Sequence, residues 1–501
     1  MILWTRVTPA PRLTPGGTSG PTVQVRWQVA TDRAFRHVAT SGVASTSPRR
    51  DYTVKVDADG LRPDTTYFYR FWLGSTASPV GRTKTAPGLL ARPDNIRFGV
   101  VSCSNLQAGW FSAYRHLARR DDLDAIVHLG DYLYEYGPGE YGYGQSNKDI
   151  RKHHPAHEMV ALADYRRRHA QYKLDPDLQS LHARLPFITT WDDHETANDA
   201  YRGGAENHQP EEGDFHTRRA RAYRAYDEWM PTRMSGTGRL GDGTRLYRSF
   251  RFGRLAELSM LDLRTYRSRQ VTQSDLGSVD DPDRSITGGD QMSWLKQRLL
   301  EKPLQWKIVG NPVMIAPVVF PPLPGDLGAA INDVTGLLPP DGAPYNVDQW
   351  DGYTADRHEL FDHLANHGVQ NTVFLTGDIH SAWACDLPID AGTYPVTRSV
   401  GTEFVCTSVT SNNLDDITGS PRRTTSVAVE EGIKDNNRHV KYLNFDDHGY
   451  SVVDVTPFRL QMDYYMISDR ADRDATSRWI QSWATAADTQ RVHAVDRPVH
   501  Q

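Results

Sequence analysis

Four short apolar runs in this chain each end, with no intervening spacer, in a cluster of acidic, imidazole, thiol or phenol side chains. They are Phe98-Gly-Val-Val-Ser-Cys103-Ser-Asn105, Ile126-Val-His-Leu-Gly130-Asp131-Tyr-Leu-Tyr134-Glu135, Phe187-Ile-Thr-Thr-Trp191-Asp192-Asp193-His194-Glu195-Thr-Ala-Asn198-Asp199 and Val373-Phe-Leu-Thr-Gly377-Asp378-Ile-His380. Open α/β folds bind ligands beyond the carboxyl ends of their strands, where the strand holds the next side chain rigidly. Gly130 and Gly377 allow the sharp turn and close backbone approach that Asp131 and Asp378 then need.

The runs sit in a longer alternation. Ile96–Val101, Ala125–Leu129, Pro186–Thr190, Leu255–Leu261, Trp306–Met314 and Thr372–Leu375 read as strands, separated by amphipathic stretches. Phe111, Tyr114, Leu117 and Ala118 share one helical face, as do Met292, Leu295 and Leu299. This is an α/β pattern. Before it, residues 1–90 read as all-β. Val23, Val25, Trp27 and Val29 alternate with polar residues, and 51–57 gives another strand. Leu61-x-Pro63-x-Thr65-x-Tyr67-x-Tyr69 has the spacing of a tyrosine corner, which predicts a fibronectin-III-like domain with no site of its own. A Pro/Gly-rich linker over 85–94 leads into a catalytic domain at 96–470. His448–Val455 reads as a late strand, and Thr476–Arg491 as a helix in a C-terminal helical tail, 471–501. Two polar, Gly/Pro-rich segments, 136–157 and 316–352, are too long for plain connections.

A chain of 501 residues exceeds one hydrophobic core, so more than one domain is expected. The net charge of −5 gives no nucleic-acid footprint, and no run of about 18 apolar residues predicts a membrane span. Cys103, Cys385 and Cys406 allow at most one disulfide, with the pair left open. Met1-Ile-Leu-Trp-Thr-Arg6 lacks the basic and apolar regions of a signal peptide.

Each polar cluster alone has a bland reading. A Gly-Asp after a strand is usually a turn, a lone cysteine a small buried hydrophobe, an acidic run a helix start. Four such clusters at strand ends, all of metal-ligand type, point instead to one site. So many carboxylates together repel one another unless multivalent cations sit among them.

The combination resembles the metallophosphoesterases, and within them the alkaline phosphatase D (PhoD-like) family. The resemblance rests on Cys103-Ser-Asn105, Gly130-Asp131-Tyr-x-Tyr134-Glu135, Trp191-Asp-Asp-His-Glu195, Gly377-Asp378-Ile-His380-Ser-Ala-Trp383 and the opening Leu3-Trp4-Thr5-Arg6. It covers nearly the whole chain. It implies a metallophosphoesterase-like β-sandwich flanked by helices. It also implies Fe(3+) held by Cys103, Tyr134, Asp131 and His380, and Ca(2+) held by Asp131 as a bridge, Asn198 and Asp378, with Asp193 a further ligand. Cys103-Ser-Asn105 replaces the Asp-x-His opening of the wider superfamily, which argues against a plain two-zinc or two-manganese site. Thiolate and tyrosinate suit a trivalent iron, and carboxylate and amide oxygens a hard ion.

The implied reaction is hydrolysis of small-molecule phosphate monoesters or diesters by a metal-activated hydroxide attacking phosphorus. His194 is the candidate to protonate the leaving oxygen, against a purely structural reading for it, and Asp131 takes part as the bridge. Arg166, Arg202 and Arg264 are alternative phosphate clamps, left undecided. Phospholipase D-type cleavage of phospholipid head groups is the alternative; Val318-Val-Phe320-Pro-Pro-Leu323 and Leu337-Leu338 would supply its apolar surface. A non-catalytic metal-binding protein and an iron redox enzyme are the rivals from other classes. Family resemblance further implies export, which would require a secretion signal upstream of Met1, the alternative being a cytosolic protein; oligomeric state stays open.

Overall fold

A computed structural model describes residues 1–10, 14–143, 149–234, 245–272, 274–322 and 341–500, with 324, 327, 329, 330 and 339 between the last two. The protein is of the α/β class, built on two seven-stranded mixed sheets.

The first sheet runs Phe187–Thr189, Ala125–His128, Ile96–Val101, Gly449–Val455, Arg459–Ile467, Ser477–Ala486, Val492–Val495. Its first three strands are parallel and the remaining pairs antiparallel. The second runs Arg248–Phe252, Ala256–Met260, Trp306–Asn311, Thr372–Thr376, Ser399–Val405, Ala382–Pro388, Val440–Asn444, parallel through its middle. Strands buried on both faces read as unbroken apolar runs, which is why Ala125–His128 and Thr372–Thr376 were visible in the sequence. One buried cluster takes Phe98, Val100 and Val127 from the first sheet and Leu258, Ile308 and Val373 from the second. Each such side chain contributes about 1.5–3 kcal/mol on burial. Helices cover the other faces. Ser112–Ala118, Leu162–Tyr172, Pro176–Arg184 and Phe215–Trp229 give residues to a second cluster, and Gly289–Leu299 and Thr354–Asn366 to a third. Local chemistry sets their ends. Asp175 accepts hydrogen bonds from the Asp177 and Leu178 N–H groups while Pro176 takes the first helical position.

The C-terminal segment departs from the sequence reading. It is not a helical tail: Ser477–Ala486 and Val492–Val495 are strands that complete the first sheet. The alanines in Ser482-Trp-Ala-Thr-Ala-Ala487 suggested a helix, but pairing with Arg459–Ile467 overrides that weak local preference. Ile480 and Trp483 pack on the core between the sheets.

The N-terminal region is all-β. Val38–Thr46, Val23–Ala30, Thr66–Leu73 and Thr76–Ala77 form a sheet, with Gly81–Lys84 also on Thr66–Leu73; Ile2–Arg6 pairs Thr53–Asp57. The Tyr67 hydroxyl accepts a hydrogen bond from the Arg62 N–H at 2.9 Å, the contact the tyrosine spacing anticipated. This region docks on the helix Phe215–Trp229: Lys55 Nζ lies 2.6 Å from Asp227, and Trp4 Nε1 donates to the Glu228 carbonyl at 2.9 Å.

In the segment 316–352, Val318 and Val319 are buried and Phe320 half-buried against the core. They do not form the exposed apolar surface expected of them. Leu323, Leu337 and Leu338 lie outside the described residues. No helix among the described residues is long and apolar enough to cross a membrane.

Candidate metal centre

All four polar clusters converge beyond the carboxyl ends of parallel strands. The turns are tight enough to force unusual backbone. Cys103, Asp131, Asp199, Asp378 and His380 all have positive φ, between 53° and 66°. Such conformations cost free energy in non-glycine residues and cluster at functional sites. A Cβ on Gly130 (φ +108°) would lie 2.6 Å from that of Asp192, so the second and third clusters touch only because residue 130 is glycine. At Gly377 a Cβ would lie 2.8 Å from that of Ser102.

Three overlapping sets of side chains follow, each with its ligand atoms within 4.8 Å of one another. They are Cys103, Asp131 and His380; Asp131, Asp193 and His194; and Asp131, Asp192, Asp193 and Asp378. Asp131 belongs to all three. Its Oδ2 accepts a hydrogen bond from the Tyr134 hydroxyl at 2.9 Å, and that hydroxyl lies 3.3 Å from His380 Nε2. Asp131 Oδ1 is buried and meets no hydrogen-bond partner. A buried, unpaired carboxylate oxygen is costly. Together with thiol, phenol and imidazole on one side and carboxylates on the other, it fits a site for cations.

The surroundings hold these groups in place. His380 Nδ1 lies 2.9 Å from the Asn412 carbonyl, which leaves Nε2 toward the cluster. Ser411 Oγ donates to the Tyr134 hydroxyl at 2.6 Å. Glu195 accepts from the Asp131, Tyr132 and Asp192 N–H groups at 3.1, 2.6 and 2.8 Å, tying two loops together. Glu135 binds His194 Nδ1 at 2.8 Å through one oxygen, and the Asn198 N–H and Asn207 amide at 2.7 and 2.9 Å through the other. The Asn198 side-chain amide donates to Glu206 at 3.2 Å.

Electrostatics match a crowd of anions. Burial, reinforced by neighbouring carboxylates, pushes Cys103, Asp131, Tyr134 and Asp378 well up. Burial also raises Glu195, to about 8, and lowers His380, to about 4. Burial acts to lower His194 too, but Asp193, Glu135 and Asp131 outweigh it and push it well up. The anionic forms of Cys103, Asp131 and Tyr134 are therefore costly unless further positive charge is present.

One such charge is built in. Arg264 is buried with its guanidinium 2.5 and 3.0 Å from the two Asp192 oxygens and 3.0 and 2.8 Å from those of Asp348. It stands 3.8 Å from both Asp193 and Asp378. With its donors engaged by Asp192 and Asp348, Arg264 is an internal counter-ion before it is a phosphate clamp. Arg166 is committed elsewhere, to Glu228 at 2.7 Å, and Arg202 is exposed. Asp192 lies in the third polar cluster, where the sequence assigns it no role, and Asp348 lies in the long segment 316–352 with no local pattern to mark it. All three cysteines are free and buried.

Comparison with known proteins agrees along the chain. The family model for PhoD-like phosphatase matches residues 98–464, and that for the PhoD-like phosphatase N-terminal domain matches residues 1–87. Alkaline phosphatase D of Bacillus subtilis (strain 168) is 37% identical over 470 residues, which is 93% of this chain and 74% of that protein. A solved structure of PhoD superposes with a TM-score of 0.85 at 34% identity, covering all of this chain and 90% of the other. The chain belongs to the PhoD-like phosphatase family and hydrolyses phosphate esters.

Proposed function

We propose that the protein is an iron- and calcium-using phosphodiesterase that also accepts monoesters. In this reading Cys103, Tyr134, Asp131 and His380 hold Fe(3+), and Asp131, Asp193, Asn198 and Asp378 hold Ca(2+). The observation that carries it is Asp131, which is common to all three ligand sets and has one buried oxygen without a partner. The donor set with thiol and phenol suits the trivalent ion, and the carboxylate set the hard divalent one. When bound, the cations would neutralise the phosphate and acidify water for attack on phosphorus.

The chain's own residues do the rest. Asp131 spans the two halves of the site. Glu135 orients His194, which gives a proton to the departing ester oxygen. Arg264 fixes Asp192 and Asp348 in place and stands 3.8 Å from Asp193 and Asp378, which eases the repulsion among these carboxylates. The N-terminal sheets, in this reading a fibronectin-III-like domain, brace the helix Phe215–Trp229 behind the site, and the two large sheets form a β-sandwich. Export from the cytoplasm is part of the same reading and rests on the resemblance. Against the phospholipid alternative weighs the burial of Val318 and Val319, two of the apolar residues it would use.

The test is the rate of hydrolysis of an aryl phosphate diester against the matching monoester, with metal content measured on the same sample. A diester preference with iron and calcium present supports the proposal. A monoester preference makes the enzyme a phosphate-releasing phosphatase. Turnover of neither, with metals bound, overturns it.

A further inference from the structure

A cavity of about 1780 Å³ lies between the N-terminal sheets and the phosphatase domain, away from the metal cluster. It exceeds the roughly 300–1,000 Å³ usual for small-molecule pockets. Its wall carries eight aromatic residues and nine lysines or arginines against three aspartates, in a chain whose net charge is −5.

Two of those cations stand out. Lys173 Nζ donates to the Tyr132 hydroxyl at 2.8 Å and stands over the rings of Trp4 and Tyr132, at 5.1 and 4.7 Å from their centroids. Arg248 donates to the Leu246 and Thr189 carbonyls at 2.9 and 2.7 Å. Among the described residues neither makes an ion pair with a carboxylate. Burial pushes Lys173 down to about 7 and Arg248 to about 10. Buried positive charge without a counter-charge is unfavourable, and an anion placed beside it removes the penalty. The apolar surface beside them is shared by Phe187, Trp229, Tyr247 and Phe250. This surface lies where both large sheets end, since Phe187–Thr189 and Arg248–Phe252 are their edge strands.

We propose that this cavity binds a single-chain amphiphile with an anionic head group, the head on Lys173 and the chain along the aromatic wall. The charge selects the head, and the size of the cavity with its apolar wall selects a chain over a compact anion. The site is separate from the metal cluster; Lys173 meets Tyr132, the residue after Asp131.

Calorimetric titration of the full chain with decanoate, decanesulfonate and decyl glucoside, each below its micelle concentration, tests this. None of the three is a phosphate ester, so turnover does not confuse binding. Decanoate and decanesulfonate are expected to bind with one molecule per chain, the tighter of the two naming the head-group class. Decyl glucoside should bind about tenfold or more weakly. Lys173→Met should weaken both anions by about tenfold while leaving decyl glucoside unchanged. Replacing a half-buried cation that lacks an ion pair by an apolar side chain of similar length is not expected to unfold the chain, and a thermal melt checks this. Ala183→Trp, on the cavity wall, should block all three ligands with Lys173 intact. Equal affinity for the three ligands, no binding, unchanged anion affinity in Lys173→Met, or inorganic phosphate binding at Lys173 as tightly as decanesulfonate would overturn the proposal.

Discussion

Glu135 Oε2 lies 2.8 Å from Nδ1 of His194, with both residues buried and the imidazole ring 4.1 Å from that of Tyr134. One hydrogen bond on Nδ1 leaves Nε2 as the nitrogen free to carry a proton. The other Glu135 oxygen is fixed by the Asn198 N–H and the Asn207 amide, so the carboxylate cannot swing away. Glu135 is thus the positioning residue for His194. Glu135→Gln should lower kcat by about 10- to 100-fold with little change in KM, and His194→Ala by about 10²- to 10⁴-fold. The double variant should be no worse than His194→Ala alone, because the two act as a unit. Steady-state kinetics on a diester decide it; additive losses would separate Glu135 from His194.

Arg264 gives a prediction about stability as well as activity. Removing one partner from a buried charge network costs about 3–5 kcal/mol, because the remaining charges are left uncompensated. Arg264→Met strands Asp192 and Asp348 together beside Asp193 and Asp378. The variant is expected to lose about that much stability when stripped of metal, with part recovered on adding calcium. Urea unfolding with and without chelator measures both quantities. If Arg264 instead acted mainly on phosphate, stability would hold and KM alone would rise.

The proposed metal ligands make separable predictions. Cys103→Ala should lose iron but retain part of its calcium. Tyr134→Phe should abolish any visible absorption from tyrosinate bound to iron. Asp131→Asn should lose most metal of both kinds and the most activity, since Asp131 is common to every ligand set. Elemental analysis and the visible spectrum of each purified variant check these. Full iron in Cys103→Ala would remove the thiol from the iron set.

Much of this site was legible because its thiol and several of its carboxylates follow close behind their strands. Cys103, Asp131, Asp193 and Asp378 come soon after buried apolar runs, and parallel pairing brings those ends together. What stayed hidden depends on contacts between segments far apart in sequence. Arg264 meets Asp192 across 72 positions and Asp348 across 84, and neither spacing leaves a local pattern. The last two strands failed for a related reason. Ser477–Ala486 is a strand because Arg459–Ile467 and Val492–Val495 flank it, while its own alanines and serines carry no firm preference.

The loop before the helix Thr354–Asn366 offers a prediction independent of metals. Asp341 lies 3.0 Å from both Arg357 and His358 on that helix. Burial acts to raise its carboxyl, but the hydrogen bond from His358 and the nearby Arg357 charge outweigh it and hold it down at about 2. The folded value is below the unfolded one of about 3.9, so the folded chain binds fewer protons in that interval. The contribution is therefore complete above about pH 4 and is lost as pH falls toward 2. Discounted for the partial exposure of the pair, it amounts to about 1–2 kcal/mol. Asp341→Asn should be less stable than the parent by that amount at pH 6, and the gap should close between pH 4 and 2.5. Chelated samples unfolded in urea at each pH give the difference directly, and acid release of metal then affects neither chain. A gap that stays constant across the range would assign the Asp341 contribution to loop geometry and not to its charge.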